Sequence, residues 1–600
     1  MIIKLQGFGG VIPVSGDRAL PDGFATESVN TWFYGQELNG VRAPVDIRQV
    51  SSSVHKILRI PKPGDPPWDL MDPDNVWKLF DDPDTDFCFA PVVKDDFKRI
   101  YWASPTTGAR YNTYANLQAG LVPAGFRLGY PSPPTACGGT ASGGAVPAET
   151  RVYTYTWVSA YGEESAPAPP YTLPGNTSGT WSITGILDPT AAQTTDLGFA
   201  AYKEKILYRT ITSDSGVATY FRVAKIAPGT TTYTDAVTGA VLAGNLQLES
   251  TTWAPAPYDP AAPNDFTKQL QGLIAMPNGF LIGWIGKDIY SSEAYHPHAW
   301  PAEYVISTEY PVVGLGVVGQ TCVVCTQGFP STLTGIKPGA TALSKSTTNE
   351  PCLSRGSIVS TPNGVIYASQ NGLVLAVSGA FSNITEKLIT RDEWLRVYYP
   401  HKLRAARHQN GYIALRETPN KAERTAFFLD PSALQTALTE FDVFENTNSI
   451  FTDAWSGDVL FIQPAGGGTG GGLPWIKRWD PPATGGAPPI PVDNFLPIRW
   501  KSKEFTIPKK VNFAAYSIYW DDARYFPNDI NTEVIPRDQK VRFKVWADRR
   551  VVYDQEVAKN GQPVRLPSGF KADIWSFEVK SRVPIYTIHI STSQRELAGV

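Results

Sequence analysis

The chain has 600 residues, too many for one ordinary core, so several domains of about 100 to 200 residues each are expected. Hydrophobic residues make 42% and aromatic residues 12%, which excludes wholesale disorder; charged residues reach only 18%, and 52 Gly with 51 Pro point to many turns and few long charged helices. The formal charge is −3 and no basic run stands out, which disfavours tight binding of DNA or an anionic membrane through a charged face.

Period-two alternation dominates wherever a pattern is readable, so the chain reads as mostly β. Residues 1–50 form an N-terminal segment whose opening, Met1 to Ala19, lacks the apolar core of a signal peptide; no Sec export is expected. Residues 51–147 carry strand candidates at Val54–Ile60, Asn75–Phe80, Phe87–Ala90 and Arg99–Trp102, separated by acidic, Pro-rich turns. The stretch Pro131–Pro147 has linker composition, and a second Pro-rich seam lies at Pro255–Pro263. Between them, residues 148–255 read as an inserted domain of about 100 residues, opening with the alternating run Arg151–Val158.

Residues 256–485 repeat. Turn signals fall at Asn278-Gly279, Gly319-Gln320, Asn363-Gly364, Asn410-Gly411 and Ser456-Gly457, in steps of 41, 44, 47 and 46 residues, each followed by an apolar strand. A step of about 40 to 50 residues carrying several short strands is the period of a β-propeller blade, and residues 51–147 supply candidates for further blades. The expected fold class is therefore mostly β: a propeller-like body, the inserted domain, and a C-terminal β domain over residues 486–600 behind a third seam at Pro481–Pro491. A short helix is expected over Thr390–Tyr398, with Thr390 as its cap. The glycine run Gly466–Gly472 reads as a hairpin tip, either a plain surface tip or a gate that swings across a channel.

The sequence carries few signatures of chemistry. No nucleophile elbow, phosphate-binding loop or zinc-protease helix motif occurs, and Gly286-Lys287 is followed by Asp288 where a phosphate loop needs Ser or Thr. The five cysteines (Cys88, Cys137, Cys322, Cys325, Cys352) are too few for a disulfide scaffold, and Cys322 and Cys325 lie three apart in a β-branched run, so buried structural thiols are favoured over a metal pair. Asp82, Asp84 and Asp86 match the first three ligands of a calcium loop, but Phe87 and Val93 stand where the loop needs Gly and Glu, so an acidic turn is favoured. Glu293, His296 and His298 share a segment with Pro297 and Trp300-Pro301; imidazoles bonded to backbone are favoured there over a metal set. The 17 Trp and 27 Tyr are read as core, with sugar-stacking platforms as the alternative. No catalytic, cofactor or metal residue is assigned.

Lys287-Asp-Ile-Tyr-Ser-Ser-Glu-Ala-Tyr-His-Pro-His-Ala-Trp-Pro301 resembles a segment of the tail tubular, or nozzle, proteins of short-tailed bacteriophages. Arg151–Ser165 with Leu207-Tyr-Arg209 is similar to the fibronectin-type insertion of that family, which implies a fibronectin/Ig-like β-sandwich for residues 148–255, and Asn30–Tyr34, Trp500–Lys503, Trp546–Asp548 and Arg565–Pro567 fit as well. The resemblance implies a structural virion protein, assembled in the bacterial host cytoplasm, without catalytic residues or cofactors. Its copies would form a homo-oligomeric ring, with six copies expected, below the portal and adaptor proteins and against tail fibre or tail tip proteins. Double-stranded genomic DNA would leave through the lumen without specific binding. A near-neutral to acidic wall agrees with this, because a basic one would hold phosphates at every step. The alternatives are a tail-associated propeller that binds or hydrolyses polysaccharide and an adhesion module built on the sandwich.

Overall fold

The computed structural model describes the chain except for residues 63–68, 93–94, 122, 144–147, 192, 194–201, 213–217, 260–261, 263–264, 266–267, 336, 433–436, 465–471, 483–494, 521–540, 558 and 598–600. Almost all of the glycine run and most of the third Pro-rich seam thus lie outside the described residues. The protein is mostly β, built from small antiparallel sheets, and none of the sheets among the described residues closes into a barrel. The chain divides into two compact units, one of Met1–Pro83 with Thr348–Val600 and one of Asp84–Thr347.

In the Asp84–Thr347 unit, three sheets are four-stranded meanders. One runs through Asp86–Phe89, Arg99–Ser104, Gly108–Thr113 and Phe126–Arg127; the next through Gln271–Met276, Phe280–Ile285, Asp288–Ser291 and Ile306–Ser307. The third comprises Val312–Val318, Thr321–Thr326, Ser331–Thr334 and Ala342–Lys345. Between the first and second of these in sequence lie two further sheets. Ala148–Ser159 pairs with Tyr171–Asn176 and Tyr202–Thr212, and the latter with Ala218–Ile226; Gly138–Ala141, Trp181–Thr184 and Tyr233–Asp235 make the other. Tyr153, Tyr155, Trp157 and Leu207 from one sheet and Trp181 and Ile183 from the other fill a single core, so the two sheets face each other as a sandwich.

Composition misled at one edge of this sandwich. Gly138–Ala141, read as linker, is a strand in register with Trp181–Thr184. Its glycines serve a close approach rather than flexibility: a Cβ on Gly139 would lie 2.6 Å from the Ser182 carbonyl oxygen.

The other unit contains the meander of Val359–Thr361, Gly364–Ala368, Leu373–Val377 and Ala380–Asn383, and that of Arg404–His408, Gly411–Leu415, Ala426–Leu429 and Thr439–Phe441. A third, Ser449–Thr452, Val459–Gln463 and Trp475–Arg478, receives its fourth strand from Val45–Gln49 near the other end of the sequence. The N-terminal segment is woven in elsewhere too. Ala25–Val29 lies between Thr439–Phe441 and Ile498–Ser502, carrying the second meander into a sheet with the C-terminal strands, and Ile2–Leu5 pairs with Ile585–Ser591.

All five turn signals occupy the same joint. Each connects the first strand of a four-stranded group to the second, the group of Arg404–His408 being one end of the larger sheet: Met276 to Phe280, Val318 to Thr321, Thr361 to Gly364, His408 to Gly411 and Thr452 to Val459. Left-handed backbone at Gly279, Gly319, Gly457 and Gln409 shapes four of these joints, which is why Gly and amide residues mark them. The short helix also forms: Thr390 Oγ1 accepts from the Glu393 amide, capping Arg391–Glu393, and Trp394–Tyr398 continues as a π turn.

Candidate functional site

The residues singled out from sequence lead to a buried ionic cluster in the Asp84–Thr347 unit. Glu293, His296 and His298 do not converge. Glu293 accepts from Tyr304 Oη at 2.7 Å and from the Ala294 amide at 2.9 Å; His296 packs on Trp253 with ring centroids 4.4 Å apart. His298 Nε2 donates to the Glu164 carbonyl at 3.0 Å, and its Nδ1 stands 3.4 Å from Glu163 Oε1, an ion-pair distance. Among the described residues, no group of His, Cys, Asp and Glu is placed to hold a metal ion.

Glu163 is the centre of the cluster. It also accepts from Arg99 Nη1 and, at 2.7 Å, from Tyr130 Oη, while Arg99 Nε donates to Asp95 Oδ2 at 3.0 Å and Tyr130 Oη meets Tyr111 Oη at 3.2 Å. Burial alone would raise the Glu163 carboxyl, but the His298 imidazole, Arg99 and the Tyr130 hydroxyl outweigh it and hold it at about 2. The adjacent Glu164 moves the other way: burial raises it, although Thr156 Oγ1 at 2.6 Å and Tyr208 Oη at 2.8 Å donate to its Oε1. Neighbouring carboxylates pushed apart in this way suit acid and base roles where a substrate has access. Here Arg99, Glu163 and His298 are 7%, 8% and 4% exposed, so the cluster acts on the fold, joining the turn after Ala148–Ser159 to the strand Arg99–Ser104 and to the His296–Trp300 loop.

Sequence reasoning missed Arg99 and Glu163 because they lie 64 residues apart, and His298 lies further still along the chain. The one local signal was Gly162-Glu163-Glu164, two acids together directly after a long apolar strand. The sandwich holds a second such centre: Asp235 Oδ2 accepts from Arg209 Nη1 at 2.6 Å, Tyr153 Oη at 2.8 Å and Arg151 Nη1 at 3.4 Å, all buried.

The other candidates are plainly placed. Cys322 and Cys325 are fully buried within Thr321–Thr326, Cys137 and Cys352 are buried, Cys88 is half-buried, and all five are free thiols. Burial pushes the Cys322 thiol up to about 12, away from reactivity. Asp86 opens the strand Asp86–Phe89, and Asp82 and Asp84 are half-buried. Lys287 and Asp288 stand at the hairpin before Asp288–Ser291, where Ser307 Oγ donates to Asp288 Oδ1. No helix among the described residues is long and apolar enough to cross a membrane.

No family model matches the chain, and no curated protein matches it. Among solved structures, the chain is similar to the extracellular domain of BT4673 from B. thetaiotaomicron, at 15% identity and a TM-score of 0.24, covering 42% of this chain and 30% of that one. It is also similar to the N-terminal domain of Nup159, at 11% identity and a TM-score of 0.22 over 42% of this chain and 67% of that one. PorZ from Porphyromonas gingivalis matches at 10% identity and a TM-score of 0.23 over 87% of this chain and 77% of that one. The chain thus spans less than a third of the first of these, and likeness at this level carries no argument about function.

Proposed function

We propose that the protein is a structural component of a short-tailed phage tail: its four-stranded meanders are blades of a propeller-like body bearing a fibronectin-like insertion, and its copies form the ring-shaped nozzle through which genomic DNA is ejected. The family is suggested by the sequence resemblance. The observation that supports it physically is how the basic side chains are spent. Arg499 meets Glu27 at 2.6 Å, Lys503 meets Asp22 at 2.5 Å, and Arg18 and Arg549 share Glu504 at 3.1 and 2.8 Å. Arg542 meets Asp554 at 2.6 Å, Lys225 meets Glu204 at 2.6 Å and Lys268 meets Asp259 at 3.2 Å. Such pairs add little stability, but they cancel positive charge locally. A conduit needs that, since each uncompensated Lys or Arg on its wall would release counterions on contact with phosphate and hold the passing duplex.

The ring is expected to be closed by heterologous contacts, two different patches joined head to tail. The portal and adaptor proteins on one side and tail fibre or tip proteins on the other are the expected partners. Cryo-electron microscopy of virions tests this. The chain must appear as a ring around the DNA axis below the portal; density off that axis, as in a fibre or spike, refutes the conduit.

A further inference from the structure

A cleft of about 520 Å³, within the range of small-molecule sites, opens in the unit formed by Met1–Pro83 and Thr348–Val600. Glycines shape it. A Cβ on Gly10 would lie 2.3 Å from the Leu438 carbonyl oxygen, and one on Gly411 would lie 2.2 Å from the Phe428 ring, so these positions keep the backbone close and the space open. The N-terminal segment is pinned there by Phe8 N donating to the Gln36 carbonyl and Gly9 N to the Gly23 carbonyl, both at 2.9 Å.

The wall is aromatic. Trp32 stacks on His408 with centroids 5.5 Å apart and meets Phe428 edge-on at 4.8 Å, and Phe24 and Phe33 complete it. The rim carries three exposed amides, Gln36, Gln409 and Asn410, whose side chains make no hydrogen bond among the described residues. Gln36 and Gln409 both hold left-handed backbone, φ 64° and 53°, a conformation that non-glycine residues rarely adopt.

The lining offers an anionic ligand no partner. It contains no Lys or Arg, and its one carboxylate, Asp430, spends Oδ1 on the Ser432 amide at 2.8 Å and the Ser432 hydroxyl at 2.6 Å. Burial lowers the His408 imidazole, so at neutral pH it adds no cation. What remains is an apolar wall beneath groups that each both donate and accept. Vicinal hydroxyls on a ring with an apolar C–H face are the matching chemistry.

We propose that this cleft binds one ring of a neutral saccharide, its C–H face against the aromatic wall and its hydroxyls bridged by Gln36, Gln409 and Asn410. The assignment rests on the cleft alone and stands or falls separately from the conduit reading. The test is saturation-transfer NMR and calorimetric titration of the full chain with D-glucose, D-galactose and N-acetylglucosamine, with glucuronic acid and adenosine as counter-probes. At least one neutral sugar should receive saturation. Gln36→Gly and Gln409→Gly, which keep the left-handed backbone free of strain, should each weaken its binding about tenfold, the loss of about one hydrogen bond, without lowering the melting temperature. Absence of transfer to all three sugars overturns the proposal, as does equal or tighter binding of glucuronic acid or adenosine, or unchanged sugar affinity when both substitutions are combined.

Discussion

The four-stranded meanders and the sandwich hold themselves together differently. In a meander, strands that follow one another in sequence lie side by side, and the strand interiors are mostly apolar: Phe280, Leu281 and Ile282, Val323 and Val324, Val365 and Ile366 are all fully buried, while the joint between Thr452 and Val459 holds one buried ion pair, Asp453 with Arg59 at 2.9 Å. The sandwich instead holds charge in its interior, with Asp235 between Arg151 and Arg209, and its Glu163 reaches out to Arg99 of the first meander and to His298. Apolar packing tolerates repacking at modest cost, whereas a buried ion stripped of its partner has no good alternative. The sandwich and its junction therefore depend on a few indispensable pairs, and the meanders mainly on many replaceable contacts.

Asp235→Ala should break this contrast most sharply. It leaves Arg151 and Arg209 buried without their shared carboxylate, at a cost of about 3 to 5 kcal/mol. Hydrogen exchange should show lost protection in Ala148–Ser159 and Tyr202–Thr212 and none in Gly364–Ala368; a uniform loss would mean that the sandwich is not an independent cooperative unit.

Glu163→Gln should cost about 2 to 3 kcal/mol, since the amide keeps the shape but loses the charge that Arg99 and His298 face. Its pH dependence is the sharper readout. The folded carboxyl lies at about 2 against an ordinary 4.5, so its contribution is fully present above 4.5 and is lost as pH falls from there toward 2. Urea midpoints of the native chain should drop through that window more steeply than those of Glu163→Gln. Parallel profiles would show that the carboxylate is not the group that stabilises the junction.

The smallest effect tests the repeat joint. Gly457 has φ +76°, and a Cβ there would meet nothing within 4 Å, so Gly457→Ala carries only the backbone penalty, about 1 kcal/mol. Gly16→Ala, equally open but without positive φ, should be neutral by the same thermal melt. Equal effects at the two positions would show that the left-handed turn is not what places the joint.

The same contrast explains what could be read in advance. The five turn joints, the strands after them and the Thr390 cap were legible because their determinants are local: a Gly or amide residue that accepts positive φ, an apolar run, a hydroxyl three residues before the amide it caps. The ionic cluster was illegible, since nothing in Arg99 announces Glu163, and neither announces His298. Composition was misleading at Gly138–Ala141, where the same glycines that make a linker also let a strand lie close to its neighbour.

By itself the sequence determined a mostly β protein with a period of 41 to 47 residues, thin in cysteine and near neutral in charge, because alternation, turn chemistry and composition act over a few residues. Only the tertiary structure decided that Val45–Gln49 completes the sheet of Trp475–Arg478, that Ile2–Leu5 pairs with Ile585–Ser591, and that amides from Gln36 and Gln409 ring one aromatic cleft. Those pairings join residues hundreds of positions apart, and an edge strand accepts any partner whose pattern fits; which one it receives is settled by the packing of the whole unit rather than by the strand.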